Sequence, residues 1–320
     1  MTTTTSGIHH LTAIASDPQR NLDFYAGILG LRLVKRTVNF DDPGSYHFYY
    51  GDRTGQPGTL LTFFPWPGAD PGRPGIGRAV VTSFQVPAGS LQFWGDRLGA
   101  AGVWGVLPRE RFGAETLRFS DPDGMVLELV ASGGKREGLP PRGSIPAASA
   151  ILRITGATLR LANHGPTAAF LTDVLGLKPA GDDQGVQRYT PDADPSAGAV
   201  DLLPDPEGRP GGLGAGTVHH LAWRARDDIH QQELRAALLA AGHAATPSVD
   251  RNYFRSIYVR EPGGVLFEVA TDGPGFLVDE PEGALGQSLK LPSRYEPRRR
   301  AIEALLPAIT LPEPATESAV

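Results

Sequence analysis

The 320-residue chain carries 30 Lys+Arg against 35 Asp+Glu, a formal charge of −5, with 40 Gly, 29 Pro, two Met and no Cys. With 40% hydrophobic and 20% charged residues it is a turn-rich globular protein of about two domains. It has no basic face for nucleic acid and no disulfides or thiolate metal ligands, so any metal must be held by His, Asp, Glu or water. The start MTTTTSGIHH lacks a signal peptide's basic and apolar regions, and the longest apolar runs, such as 60–64, are strand-length. These features predict a cytoplasmic protein with small-molecule partners and no membrane contact.

In chain order, the first element is a β-branched run from His9, HHLTAIAS, followed by Asp17 as a helix N-cap and Pro18 at the first helical position. The helix NLDFYAGILGLRLV from Asn21 ends at Leu-Gly-Leu, with Gly30 as its C-cap. Further strands complete a module over 7–65. A second module, over 78–131, opens on AVVTSFQV from Ala79, continues through the helical pattern from Ser90 and closes on DPDGMVLELV from Asp121. The stretch from Ser132, SGGKREGLPPRGSIP, reads as a central linker within 132–151. The third module, 152–204, echoes the first: GATLRLAN from Gly156, then TAAFLTDVLGLKPA from Thr167 with Gly176 as C-cap. The fourth, 216–271, echoes the second: TVHHLAWRA from Thr217, a helix from His230, then EPGGVLFEVA from Glu261. Glu128 and Glu268 occupy the same slot of the repeated turn and strand. Residues 272–320 read as a tail, with a surface segment after about 285 and one short helix near 300–306, where little chemistry is expected. The fold class is therefore α+β: four βαβββ modules forming two half-open mixed β-barrels with flanking helices.

A metal site on strands needs its ligands on one face, at even spacing. His10 shares a row with Ile8 and Thr12, and His220 a row with Val218 and Ala222. Glu268 alternates with Val265, Phe267 and Val269, which would pack beneath the helices, so its carboxylate points the other way. Two imidazoles and one carboxylate with open coordination positions are the arrangement of non-haem Fe(II) oxygenases; Mn(II) suits the same donors, and Zn(II) suits them without redox chemistry. Because His10 lies in module one and the other two in module four, those modules must share one cup. Modules two and three would form a second cup without His ligands, in which Glu128 pairs with Arg118 or Arg109.

The four-fold module, together with GIHHLTAI, TVHHLAWRA and RNYFRSIYVREPGGVLFEVA, resembles the vicinal oxygen chelate superfamily of glyoxalase I, bleomycin-resistance proteins and extradiol dioxygenases. Within it these segments resemble the hydroquinone ring-cleaving dioxygenases, over about residues 7–292. The resemblance implies an Fe(II) enzyme opening a hydroquinone or catechol-like ring with O2 as co-substrate. It implies His9 as an acid–base histidine, Tyr258 as a tyrosine beside the metal ligands and Arg251 as an active-site arginine. Strict alternation places His9 opposite His10, so its contribution requires an irregular or twisted strand. His47 and Phe254 are expected to contact substrate, with Phe48, Tyr49 and Trp66 as further candidate walls. His219 is expected to be structural, and His164 and His230 to lie at the surface. Two alternatives remain open: a glyoxalase-type isomerase or transferase using a redox-silent metal, and a non-catalytic sequestering protein. The first would call for a further carboxylate, where module one offers Thr62 or Phe63. Homo-oligomerisation is left open.

Overall fold

The computed structural model describes residues 4–133 and 145–311; most of the expected linker, 134–144, lies outside the described residues. Four repeats are seen. The first comprises β1 (Ile8–Ala15), α1 (Pro18–Leu22) continued by a π-helical turn (Asp23–Ile28), β2 (Arg32–Val38), β3 (Tyr46–Gly51) and β4 (Leu60–Pro65). The second comprises β5 (Arg78–Pro87), α2 (Leu91–Ala100), β6 (Leu107–Arg111), β7 (Ala114–Ser120) and β8 (Val126–Ser132). The third has β9 (Arg153–Leu161), α3 (Gly165–Ala169) with a π-helical turn (Phe170–Val174), β10 (Leu177–Asp183), β11 (Val186–Pro191) and β12 (Ala199–Pro204). The fourth has β13 (Thr217–Ala225), α4 (Asp228–Ala240), β14 (Val249–Asp250), β15 (Arg255–Arg260) and β16 (Leu266–Thr271), and α5 (Arg299–Leu305) follows. Among the described residues no helix is long and apolar enough to cross a membrane.

The strands form two curled eight-stranded mixed sheets, ordered β14-β15-β16-β13-β1-β4-β3-β2 and β10-β11-β12-β9-β5-β8-β7-β6. The outer repeats share one sheet through antiparallel β1 and β13, and the inner repeats share the other through antiparallel β5 and β9. Within each repeat the first and last strands run parallel, as β1 with β4 and β13 with β16, and the helix after the first strand carries the chain over to the second, from which the rest pair back antiparallel.

Local chemistry explains the repeats. Asp17 accepts from the Arg20 amide at 2.7 Å and caps α1, with Pro18 at its start, while Gly30 and Gly176 take φ of +66° and +73° where the helical segments end. Each acidic turn is closed by its own carboxylate: Asp121 accepts from the amides of Asp123 and Met125, Glu261 from those of Gly263 and Val265. A hydroxyl from another repeat then reaches each, Tyr25 to Asp121 at 2.9 Å and Thr167 to Glu261 at 2.6 Å. Burial pushes the Asp121 carboxyl up to about 6, against the hydrogen bonds from Tyr25 and Met125.

Three expectations are corrected. His230 is buried, its Nδ1 accepting from the Arg226 amide and its Nε2 bonded to the Thr4 carbonyl; its place on the inner stripe of α4 with Gln231, Leu234 and Leu238 accounts for this. The segment after 285 is not only surface: Leu285, Leu291, Ile302 and Leu306 are buried. It runs beside β2, so close that a Cβ on Gly286 would lie 2.1 Å from the Leu33 carbonyl oxygen. Phe48 is not a wall of the cup. It is fully buried in the core, stacked on Tyr46.

Candidate metal centre

Adjacent strands β1, β13 and β16 bring His10, His220 and Glu268 together, their ligand atoms all within 4.8 Å and all three residues buried. The edges of this triangle are 3.2 Å between the two Nε2 atoms, 3.0 Å from His220 Nε2 to Glu268 Oε2 and 3.7 Å from His10 Nε2 to the same oxygen. A cation with bonds of about 2.1 Å sets neighbouring donors roughly 3.0 to 3.4 Å apart, so the donor set fits a small divalent ion. Burial lifts the Glu268 carboxyl, but the hydrogen bonds it accepts from His220 and Ser256 help hold it well below the usual range. The Ser256 hydroxyl donates to its Oε1 at 2.6 Å. Burial also drives the His10 imidazole far down, so it stays neutral, as a ligand must.

A chain of hydrogen bonds sets the tautomer of His10. The Thr271 carbonyl can only accept, so His9 Nε2, 3.1 Å away, must carry its proton. Neutral His9, its pKa lowered to about 4 by burial, then offers a bare Nδ1 to His10 Nδ1 at 2.9 Å. The His10 proton therefore sits on Nδ1, and the Nε2 lone pair faces the centre. His9 reaches this position because the β1/β13 register shifts between Ile8 and His10, the irregularity that strict alternation lacked. The fourth repeat has the same contact, His219 Nδ1 to His220 Nδ1 at 2.9 Å. Here the far Nε2 of His219 has no hydrogen-bond partner among the described residues, and His219 borders the cup.

Over the triangle opens a cavity of about 330 Å³. Its lining includes His47, Tyr49, Phe64, Trp66, Phe254 and Leu266, with Tyr258 and Arg251 at one side. His47 bonds Thr62 Oγ1 at 2.9 Å, and Thr62 bonds Thr12 at 2.8 Å; burial together with His10, His220 and Arg251 lowers its pKa well below the usual value. Phe254 lies with its ring centroid 5.1 Å from that of His9 and 5.2 Å from that of His10. Arg251 Nε donates to the Tyr258 hydroxyl at 3.1 Å, and its Nη1 reaches Asp41 at 3.1 Å across the mouth. Burial raises the Tyr258 pKa, so its hydroxyl remains protonated. Sequence reasoning missed Asp41, Leu266 and the pocket position of His219; the His-His pairing on both strands was the available signal for His219.

In the second sheet Glu128 and Asp201 are bridged by Arg111, at 3.4 and 3.0 Å. Glu128 pairs with Arg118 at 2.8 Å, and its second partner is Arg111 rather than Arg109; the two arginines share a face of β6, and it is Arg111, at the hairpin end opposite Ala114, that reaches the carboxylates.

Comparison with known proteins agrees with this architecture. The model of the Glyoxalase/Bleomycin resistance protein/Dioxygenase superfamily matches residues 7–129 and 153–269. The chain belongs to this superfamily. It is 47% identical over 304 residues to a Bacillus subtilis protein named "Putative ring-cleaving dioxygenase MhqO", covering 95% of this chain and 96% of that one. It is 34% identical to the chlorohydroquinone/hydroquinone 1,2-dioxygenase of Sphingobium indicum, covering 91% and 92%. A crystal structure of a B. subtilis protein described as a "putative dioxygenase" superposes with a TM-score of 0.93 at 46% identity, over 97% of this chain and 99% of that one. Glyoxalase I of Zea mays shares the fold, with a TM-score of 0.62 at 15% identity over 83% of this chain and 92% of that one.

Proposed function

We propose that this superfamily member is an Fe(II)-dependent, extradiol-type ring-cleaving dioxygenase that opens a hydroquinone or catechol-like ring with O2. The observation carrying this reading is a buried His10–His220–Glu268 triangle at the floor of an aromatic-walled cavity large enough for one substituted ring. His10, His220 and Glu268 would hold the ion, which when bound supplies redox chemistry to join dioxygen and a phenolate; Mn(II) is the second choice for these donors.

The side chains divide the remaining work. Phe254 and Tyr49 wall the ring. His47, neutral in its buried setting and fixed by Thr62, is placed to take the phenolic proton. The protonated Tyr258 hydroxyl, with the Arg251 guanidinium behind it, donates to oxygen as negative charge develops. His9 has both ring nitrogens committed, so its contribution in this arrangement is to hold His10 rather than to exchange protons with substrate. With His220 Nε2 given to a cation, the His220 proton lies on Nδ1, His219 accepts it, and His219 presents Nε2–H to the cup.

A glyoxalase-type reading is disfavoured by Thr62 on β4, which bonds Thr12 of β1 at the position where a further carboxylate would serve. Sequestration without metal is disfavoured by the converging triangle. The deciding test is anaerobic purification, loading with Fe(II), and oxygen-electrode assay with hydroquinone, chlorohydroquinone and catechol. One O2 consumed per ring opened is expected; iron-loaded protein that takes up no oxygen with any of the three would end the proposal.

A further inference from the structure

Lys35 is completely buried, yet it belongs to neither the candidate centre nor the sheet-to-helix core. Its ammonium meets Asp279 at 2.5 Å, Glu280, and the Phe276 carbonyl at 3.3 Å, all in the segment that follows the fourth repeat. It also lies 5.0 Å from the ring centroid of Tyr253, whose hydroxyl donates to the other oxygen of Asp279 at 3.0 Å. The Phe276 ring, 5.0 Å from Tyr253 and 5.1 Å from Tyr49, fills the space between this cluster and the cavity wall.

Tyr253 sits between Arg251 and Phe254, the two residues that this loop contributes to the cavity. The loop is held only lightly by its own backbone, through Arg251 N to Phe254 O at 2.9 Å and Tyr253 N to Arg251 O at 2.8 Å, with Asn252 at φ +66°. A buried ammonium is costly unless paired, and here its two carboxylate partners come from outside the repeats. One of them, Asp279, also grips the loop. The same C-terminal segment holds the opposite rim: Arg294 Nη2 and the Tyr295 hydroxyl both donate to the Phe40 carbonyl, at 3.1 and 2.7 Å, next to Asp41.

We infer that Lys35, Asp279 and Tyr253 are positioning residues that set Arg251 and Phe254 against the substrate, and that the C-terminal segment is therefore part of the active-site architecture. This rests on the proposed function for its substrate, and on geometry alone for the loop. Lys35 lies on β2, at the far edge of the sheet from β15, so the cluster ties the two edges of the curled sheet across the cup.

The test compares Tyr253→Phe and Lys35→Met with wild type. Iron stoichiometry is measured first, then anaerobic binding of chlorohydroquinone to the Fe(II) protein by calorimetry, and amide hydrogen exchange of residues 250–255. Tyr253→Phe removes one hydrogen bond without removing the ring, so it keeps the inference testable if Lys35→Met fails to fold. One iron per chain is expected in both folded variants, with chlorohydroquinone bound about fivefold or more weakly and faster exchange confined to the loop. A lowered melting temperature with wild-type affinity and wild-type loop exchange would overturn the inference, leaving the cluster purely structural. If wild type neither binds chlorohydroquinone nor consumes oxygen, the proposed function fails, and the exchange measurement by itself decides the positioning role.

Discussion

Replacing Tyr258 by Arg should empty the candidate metal centre while leaving the fold intact. The basis is the second sheet, where Arg118 stands opposite Glu128 in register, as Tyr258 stands opposite Glu268. Arg118 donates to Glu128 at 2.8 Å, so a guanidinium fits this cross-strand slot and neutralises the carboxylate. In the first sheet it would stand where the Tyr258 ring lies 6.0 Å from that of His220. Unit charge and divalent charge at that separation, in an effective dielectric of about 20, repel by about 5 kcal/mol, or roughly four orders of magnitude in affinity. Competition for Glu268 adds to the loss. Anaerobic Fe(II) titration against a chelator, with circular dichroism as the fold control, measures it. Stoichiometric iron at wild-type affinity in folded Tyr258→Arg would refute the view that a cation of either kind satisfies this carboxylate.

Four further outcomes follow from the same geometry. His10→Ala, His220→Ala and Glu268→Ala should each abolish bound iron, and stoichiometric iron in any one removes that residue from the site. Ser256→Ala strips Glu268 of a charge-assisted hydrogen bond, which should weaken iron binding about 10- to 100-fold in the same titration. Arg111→Met leaves Glu128 with Arg118 and the Ser83 hydroxyl and Asp201 with Arg188, and should lower unfolding free energy by about 3 kcal/mol in urea without changing iron content. Asp121 is raised from 3.8 to about 6 in the fold. An acid with a raised folded pKa favours the native state at low pH, so stability should fall by about 2 kcal/mol as pH rises from about 4 to 6. Asp121→Asn should flatten that slope in denaturant titrations at the two pH values.

The fold was legible because it is written four times. The Leu-Gly-Leu ends at Gly30 and Gly176 and the acidic turns at Asp121 and Glu261 mark equivalent points of successive repeats, and repeated local signals reinforce one another. The face of Glu268 was legible from alternation alone. His9 was not, because a bulge breaks the period on which the reading rests. Lys35 escaped for a different reason. Lys35 is buried because of partners far along the chain, Asp279 and Glu280, which no spacing within β2 encodes, whereas the i, i+4, i+8 row of His230, Leu234 and Leu238 on α4 carried the burial of His230 and only its Thr4 partner was out of reach. Nor does hydropathy distinguish the segment after 285, where Leu285, Leu291, Ile302 and Leu306 are buried while their neighbour Leu305 is exposed.

The two sheets show how a duplicated cup diverges by exchanging the charge that balances its carboxylates. The register pairs of the inner sheet are Arg118 with Glu128 and Arg188 with Asp201; those of the outer sheet are Tyr258 with Glu268 and Tyr49 with Thr62. Both arginines are thus matched by tyrosines, and one of two carboxylates by a threonine. In the inner cup the hairpin between β6 and β7 sends Arg111 across both carboxylates, with Phe112 beneath Arg188 at 3.7 Å, so the concavity is filled by protein. In the outer cup the corresponding hairpin has a β14 of only two residues, and its Arg251 stops at the Tyr258 hydroxyl. The carboxylate left behind, Glu268, is met by two imidazoles instead of guanidinium. Imidazoles can remain neutral and offer lone pairs, which arginine cannot. Withdrawing fixed cations from the cup is therefore one change with two effects: it opens the cavity, and it leaves a buried negative charge that a divalent ion can balance.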